Sequence, residues 1–476
     1  MPGPSPLLSL PLMLGPLLLA GCTVGPDYQR PQTGAAAAQW IEPGTPGNLD
    51  LAWWKRFDDP LMDRLITQAL GSSPTAREAL ARVREARAGE AAARGGALPS
   101  VEAKGSATRD KLSENGELPL KSLQSIPGFE REFSLFDAGF DAAWEIDLWG
   151  SQRRQIEAAH ARAGAAEAGQ REAMVMLAGE IARAYIELRQ AQAAAASARD
   201  IAQADADLAH LTQLRVQAGE SAPLELNLAL SAARQSEDQH LAAEVRSRAA
   251  AYRLAALTGR PPEELIAELA APGPIPPAPD SIVTGLRSDL LRRRPDVERA
   301  ERELAAASAD IGVATADLFP RFSLIGGIGQ QARNAGDLDS GGSTRFIIGP
   351  SFSWPIFTAG RVRARIRAAD ARADAAAARY DQAVANALSD SEGAINRFLQ
   401  ARLRAGAATQ ALDQQRQAFT LSTKRLERGE DDRLALARAR KALVAAQLAD
   451  DSARAEQALA AAALFKALGG GWTSES

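Results

Sequence analysis

Glu145 and Asp147 are the pair that most invites a catalytic reading. Two carboxylates two residues apart on an extended segment share one face and could act as general acid and base. No nucleophile, metal-ligand cluster or histidine accompanies them, so they are expected to face a wet lumen or a strand–helix junction. His160, His210 and His240 are too far apart to form an H-x-x-x-H pair, and each is expected on a solvated helix face. No P-loop is present to draw energy from ATP. A second acidic cluster, Glu427, Glu430, Asp431 and Asp432, surrounds Gly429. These residues suit a solvated turn with an aspartate capping the next helix.

Cys22 is the one cysteine, so neither an internal disulfide nor a cysteine-based metal site is available. It follows an apolar run, residues 7–20, that is too short for an ordinary transmembrane helix and reads as a secretory signal over 1–21. The segment Leu19-Ala20-Gly21-Cys22 resembles a bacterial lipobox, in which the cysteine receives a diacylglycerol and an N-acyl chain and becomes the first mature residue. Thr23 follows it rather than Asp, which does not favour retention in an inner membrane. No other run of 18 apolar residues exists, so no further helix is expected to span a bilayer.

With 55 Lys+Arg against 59 Asp+Glu, the net charge of −4 gives no support to nucleic-acid binding. Apolar residues make up 46% but aromatics only 5%, much of the difference being alanine. Alanine favours helix and supplies little core volume, so long, closely packed helices are expected rather than a bulky core.

The elements around these residues come in duplicate. Pro74 and Pro295 are 221 residues apart, as are Pro99 and Pro320. Gly150 and Gly360 are 210 apart, as are Gly219 and Gly429, and Leu257-Thr258-Gly259 matches Ala467-Leu468-Gly469 at the same offset. Constant offsets argue for two structural repeats, the first carrying about eleven extra residues between Pro99 and Gly150. The expected organisation is a lipidated extended segment over 22–59, repeat one over 60–271, a proline-rich linker over 272–287, repeat two over 288–469 and a tail over 470–476.

Each repeat reads as a helix, two strands and a long helical hairpin. The first helices cover about 60–96 and 288–318 and stop before Pro99 and Pro320. Period-two alternation predicts strands at about 100–108, 135–148, 321–330 and 344–357, with polar inserts 109–130 and 331–343 as exposed loops. Phe136, Phe140, Trp144 and Ile146 fall on one side of the second strand and Asp137, Asp141 and Glu145 on the other. One apolar and one polar face suit a lipid-facing exterior and a wet interior, and about 9–11 residues suffice for a barrel strand to cross a bilayer. Aromatics near the strand ends, Trp144, Trp149 and Trp354, favour that reading over a soluble sheet.

Helices are expected over 152–217, 222–258, 361–427 and 432–468, turning at Gly219-Glu220-Ser221 and Gly429-Glu430-Asp431. Coiled-coil seams are expected along Ile366, Ala369, Ala373, Ala376 and Tyr380, and along Leu241, Val245, Ala249, Tyr252 and Ala256. Four strands cannot close a membrane barrel, and lipid tolerates no open sheet edge. Several copies must therefore complete one ring; three would supply twelve strands.

The ordered motifs carry a family resemblance over nearly the whole chain. They are Cys22-Thr23-Val24-Gly25-Pro26-Asp27-Tyr28; Trp53-Trp54 with Phe57 and Asp59-Pro60-Leu61; Phe140 through Gly150; Ser288 through Asp296; Phe319-Pro320; Pro355 through Gly360; and Lys466 through Trp472. The sequence resembles the TolC-like outer-membrane factors, most closely the NodT/OprM-type outer-membrane lipoproteins of RND multidrug efflux systems. The resemblance implies a mostly α-helical homotrimer with a 12-stranded membrane β-barrel and an α-helical periplasmic tunnel. It implies a passive exit duct in the outer membrane, lipid-anchored at Cys22. It also implies a periplasmic membrane-fusion adaptor and an inner-membrane RND-type pump as partners, with no cofactor beyond the covalent lipid. Family members close their periplasmic end with acidic rings or ion pairs, which makes Asp431 or Asp432 an aperture candidate. Gly219, Glu220, Gly429 and Glu430, at the far hairpin tips, are the candidates for adaptor docking. Two rivals compete: a lipid-anchored periplasmic coiled-coil scaffold without a pore, and an enzyme of envelope metabolism. The transported substrate and the pump class are not legible.

Overall fold

The computed structural model describes residues 23–31, 39–42, 47, 50–113 and 130–471. The signal segment, Cys22, most of the first polar insert and Trp472 lie outside them. Two compact units form, one from Met1–Arg30, Glu85–Ala163 and Arg302–Ala378, the other from Pro31–Arg84, Gly164–Glu301 and Arg379–Ser476. Each draws on both sequence repeats, because the landmarks trace homology along the chain whereas packing joins equivalent parts of the two copies.

The first unit contains one antiparallel sheet in the order β1 (Ser100–Lys111), β2 (Glu132–Ile146), β3 (Arg321–Ala332) and β4 (Thr344–Ser353). Within each repeat the strands make a local pair; β2 and β3 join the repeats, with Phe140 opposite Ile328. The ladders correct the predicted bounds. β1 runs to 111 rather than 108, β2 begins at 132 and ends at 146 rather than 148, and β3 extends to 332. Cross-strand hydrogen bonds keep polar residues such as Arg109, Asp110 and Glu132 extended after the apolar alternation has faded. β4 stops at 353 rather than 357, ahead of Pro355, which has no amide to donate.

The predicted first helices are each split. In repeat one they are α1 (Pro60–Ser72) and α2 (Pro74–Gly96). The residue before the second proline, Ser73, is extended at φ −62°, ψ 156°, as the proline ring requires. Two long helices follow, α3 (Ser151–Gln217) and α4 (Pro223–Thr258), then a short α5 (Pro262–Leu269) in a stretch of repeat one to which no element was assigned. Repeat two has α6 (Arg287–Arg293) and α7 (Pro295–Ala316), separated at Arg294, then α8 (Arg361–Glu427) and α9 (Arg433–Ala467). α3 and α8 have 67 residues each, about 100 Å at about 1.5 Å per residue.

In the second unit the helix ends meet in matching fashion. α4 ends where α2 begins: a Cβ on Gly259 would lie 2.4 Å from Pro74 Cδ. α9 ends where α7 begins, and the Arg293-Arg294 pair explains how. Arg293 Nε donates to the Leu468 carbonyl (3.1 Å), and Arg294 Nη1 donates to Ala467 O (3.0 Å), covering carbonyls that a helix C-terminus leaves open. The same unit buries Trp53, Phe57, Tyr185 and Phe465, with Trp53 stacked on Phe465 at 5.2 Å. Asp59 caps α1 through the amides of Leu61 and Met62 and accepts the Tyr185 hydroxyl at 2.9 Å. Burial pushes the Tyr185 phenol up to about 12.

One predicted seam lies inward, with Ala369, Ala376 and Tyr380 buried. The other needs correction. Leu241, Val245, Ala249, Tyr252 and Ala256 are exposed, and α4 instead buries Ser236, Ala243, Ala251, Leu254 and Ala255. Both stripes repeat at helical spacing, so local periodicity does not choose between them; contact with α1, α3 and α5 does.

Candidate functional site

Three places on the chain could carry function, beginning with the sheet. Register sorts its side chains onto two faces. One face carries Phe140, Trp144, Leu324, Ile328, Phe346, Ile348 and Phe352, with Phe346 78% and Ile348 74% exposed. Uncovered apolar groups on this scale are unfavourable in water, and a contiguous patch of them marks a surface meant for lipid or protein. The opposite face carries Glu102, Lys104, Asp137, Asp141, Glu145, Gln331 and Arg345. There Arg345 forks onto Asp137 (2.6 and 2.7 Å), Gln331 donates to Asp137 (3.0 Å), and Lys104 Nζ lies 3.1 Å from Asp141. Two glycines bring the repeats together at its centre: a Cβ on Gly139 would lie 2.7 Å from Gly329 Cα and 2.6 Å from Ile328 O. β1 and β4 each present one edge with no strand against it among the described residues.

Glu145 and Asp147 do not converge. Glu145 stays on the polar face opposite Ser323, while Asp147 lies beyond the strand and accepts the Arg153 amide at 2.9 Å, capping the start of α3. His160 pairs with Glu90 at 3.1 Å on an exposed surface. His240 is largely covered rather than solvated, 3.7 Å from Glu244, because it faces the segment around α5.

The second place is the strand-to-helix junction of the same unit. Trp149 Nε1 donates to Pro320 O (2.9 Å) and its ring stacks on Phe319 at 4.6 Å. Matching tryptophans at the 210 offset bind matching carbonyls, Trp144 to Ala97 (3.0 Å) and Trp354 to Leu318 (3.1 Å). The N-terminal segment is tied down here. Val24 donates its amide to Trp149 O (3.1 Å), and Thr23 lies against Gly150. Arg154, whose side chain is 4% exposed, donates to the carbonyls of Val24 and Gly25, to Asp27 (2.6 Å) and to Glu157 (2.7 Å). A Cβ on Gly25 would lie 2.4 Å from Gly312 Cα, so only glycine permits this approach. No sequence signal marked Arg154; its partners lie up to 130 residues away.

The third place is the pair of hairpin tips. Gly219 and Gly429 adopt left-handed φ of 75° and 73°. In each turn the glycine amide donates three residues back and the next amide, Glu220 or Glu430, donates five back, to Arg215 O (2.8 Å) or Arg425 O (2.9 Å). This is the Schellman closure of a helix end. Asp432 caps α9 through the Ala435 amide (2.8 Å). Asp431 lies 3.3 Å from Arg425 Nη2, and Glu430 lies 3.9 Å from Arg425 Nε. The acidic cluster is thus partly neutralised within its own turn.

Residues 65–260 and 286–470 match the family model described as outer membrane efflux protein. The pyoverdine export outer membrane protein OpmQ of Pseudomonas aeruginosa is 32% identical over 448 residues, covering 93% of this chain and 92% of its own. Nodulation protein T of Rhizobium leguminosarum bv. trifolii is 29% identical, with 96% of each chain covered. Among solved structures, the outer-membrane channel OprN superposes with a TM-score of 0.81 at 35% identity, covering 95% of this chain and all of that one. The open-state MtrE outer membrane channel of Neisseria gonorrhoeae gives 0.78 at 26% identity, covering 94% and 98%.

Proposed function

The chain belongs to the outer membrane efflux protein family, and from that premise we propose that it is the passive exit duct of a tripartite efflux system. It acts in the outer membrane. A periplasmic adaptor and an inner-membrane RND-type pump deliver the solute, and the pump supplies the energy. Relatives bear names for export of pyoverdine, toluene and solvents, so small organic molecules are the cargo class for this chain.

The observation that carries the proposal is the β1–β4 sheet, apolar and exposed on one face, charged on the other and, among the described residues, open at both edges. In lipid those edges must pair with further strands, and sister copies of the chain can provide them; three give a twelve-stranded ring. A scaffold without a pore leaves the apolar face unexplained. Glu145 and Asp147, the pair that invited a catalytic reading, are held apart, one on the polar face of the sheet and the other capping α3.

Cys22 is the lipid attachment point. Support comes from the tethering of Thr23 and Val24 at the junction where Trp144 and Trp149 lie, because tryptophans of this kind collect at membrane–water interfaces. Asp431 and Asp432 contribute to the periplasmic aperture, Asp432 while capping α9, and Gly219, Glu220, Gly429 and Glu430 form the adaptor-docking tips. Planar-bilayer recording of the detergent-extracted protein tests both levels. A trimeric species with stepwise conductance is expected, and an Asp431→Ala/Asp432→Ala variant is expected to lose part of the cation preference. A monomer that passes no ions overturns the duct; unchanged ion selectivity in the variant overturns the aperture alone.

A further inference from the structure

The second unit holds two adjoining cavities of about 540 and 290 Å³ among α3, α8, α9 and the start of α7. They share Arg397, Ala463 and Lys466 and so form one groove. Its volume falls in the range of small-molecule sites, about 300–1,000 Å³. Its floor is apolar, formed by Gly179, Ala401, Leu459, Ala460 and Ala462, and Gly179 leaves room for the stem of Lys466, which passes 3.0 Å from where a Cβ would stand.

The charges around the groove do not cancel evenly. Six lining carboxylates each already hold a cation. Glu172 takes Arg299 (2.8 Å), Glu180 takes Arg253 (2.9 Å), and Glu187 takes Arg183 (2.7 Å). Glu456 takes Arg404 (2.7 Å), while Arg294 serves both Asp296 (2.6 Å) and Asp390 (3.6 Å). Because Arg294 serves two carboxylates, the cations named exceed the carboxylates by one charge, and the two cations without a close partner are those that both cavities share. Arg397 has no ion pair among the described residues, and Lys466 reaches only Glu180, at 4.0 Å, a carboxylate that Arg253 already occupies. A guanidinium without an ion pair and an ammonium held only at 4.0 Å, over an alanine–leucine floor, complement an anion joined to an apolar body.

We propose that this groove binds small amphipathic molecules bearing a carboxylate, with Arg397 and Lys466 holding the anion and the floor taking the apolar part. The inference rests on the duct reading, which brings small organic solutes to this chain. Titration calorimetry of the detergent-purified full chain with 1-naphthaleneacetate tests it, and bilayer conductance of the same preparation reports separately on the duct. Saturable binding is expected, weakened at least tenfold by Arg397→Gln/Lys466→Gln and unchanged by Arg82→Gln, which lies outside the groove. The neutral isostere 1-naphthaleneacetamide is expected to bind at least tenfold more weakly. Equal binding by the double variant, or equal binding of the amide, overturns the proposal. A single new cysteine, Ala463→Cys, gives an independent check: in the assembled protein it should react with a charged thiol reagent and be shielded by 1-naphthaleneacetate. Failure to react because a second copy covers the groove overturns it as well.

Discussion

Arg154 is the residue on which the N-terminal segment depends most. Its buried guanidinium bonds two carbonyls and two carboxylates at the junction. Charge-assisted bonds of this kind contribute about 1.5–3 kcal/mol each to the docked form. Arg154→Ala is therefore expected to free the segment locally: exchange of the Val24 amide, now bonded to Trp149 O, should quicken by roughly thirtyfold, about 2 kcal/mol. Unchanged exchange would show that the Gly25–Gly312 approach suffices alone. In the second unit Glu268 bridges Arg260 (2.7 Å) and Arg64. The hydrogen bond from Arg260, followed by the attraction of both guanidinium groups, holds its carboxyl below the ordinary 4.5, opposed by partial burial. A lowered carboxyl stabilises the fold above its unfolded value and loses that effect as the pH falls through the folded one. Glu268→Gln should thus lower the unfolding free energy at pH 7 by about 1 kcal/mol, and the gap from the parent should close below 4.5. A gap that persists at pH 3 would point to packing rather than charge.

At the scale of elements, the two repeats solve the same problems with the same bonds. Gly219 and Gly429 close their helices identically, and Gly469 does so again at the end of α9, whereas at the end of α4 Gly259 is left-handed but donates four residues back, to Ala255 O. These positions were legible because left-handed backbone selects glycine whatever surrounds it. No atom lies within 4 Å of a Cβ added at Gly219 or Gly429, so alanine there meets only backbone strain, about 1–2 kcal/mol per site. The expectation for Gly219→Ala/Gly429→Ala is faster amide exchange at Glu220 and Glu430 with the sheet amides unaffected; protection that stays at the parental level would argue against the turn geometry. The exposed stripe of α4 was misread for the opposite reason. Spacing reveals that a helix has an apolar face but not which neighbour covers it, and α4 has two candidates.

For the molecule as a whole, the decisive contact is between repeats, where β2 meets β3. The Gly139–Gly329 approach permits that pairing, and Gly139→Val drives a side chain into Ile328 O and the facing backbone. Loss of the heat-resistant oligomer on gels is expected for this variant. Gly349→Val, on β4 with open space around it, is the matched control and should retain the oligomer. Equal behaviour of the two would remove the inter-repeat pairing from the account of assembly.

The duplication, the long helices, their turns and the two-faced strands were all written in local order: prolines and glycines at constant offsets, and apolar residues at periods of two and of three to four. Backbone constraints and side-chain periodicity act over a few residues, so the chain alone determined them. The register of β2 on β3, the clasp of Arg154, the docking of the α4 and α9 ends onto the starts of α2 and α7, and the leftover charges of Arg397 and Lys466 were decided only in three dimensions. Each depends on which distant group arrives within bonding distance, and that is settled by packing between segments more than a hundred residues apart.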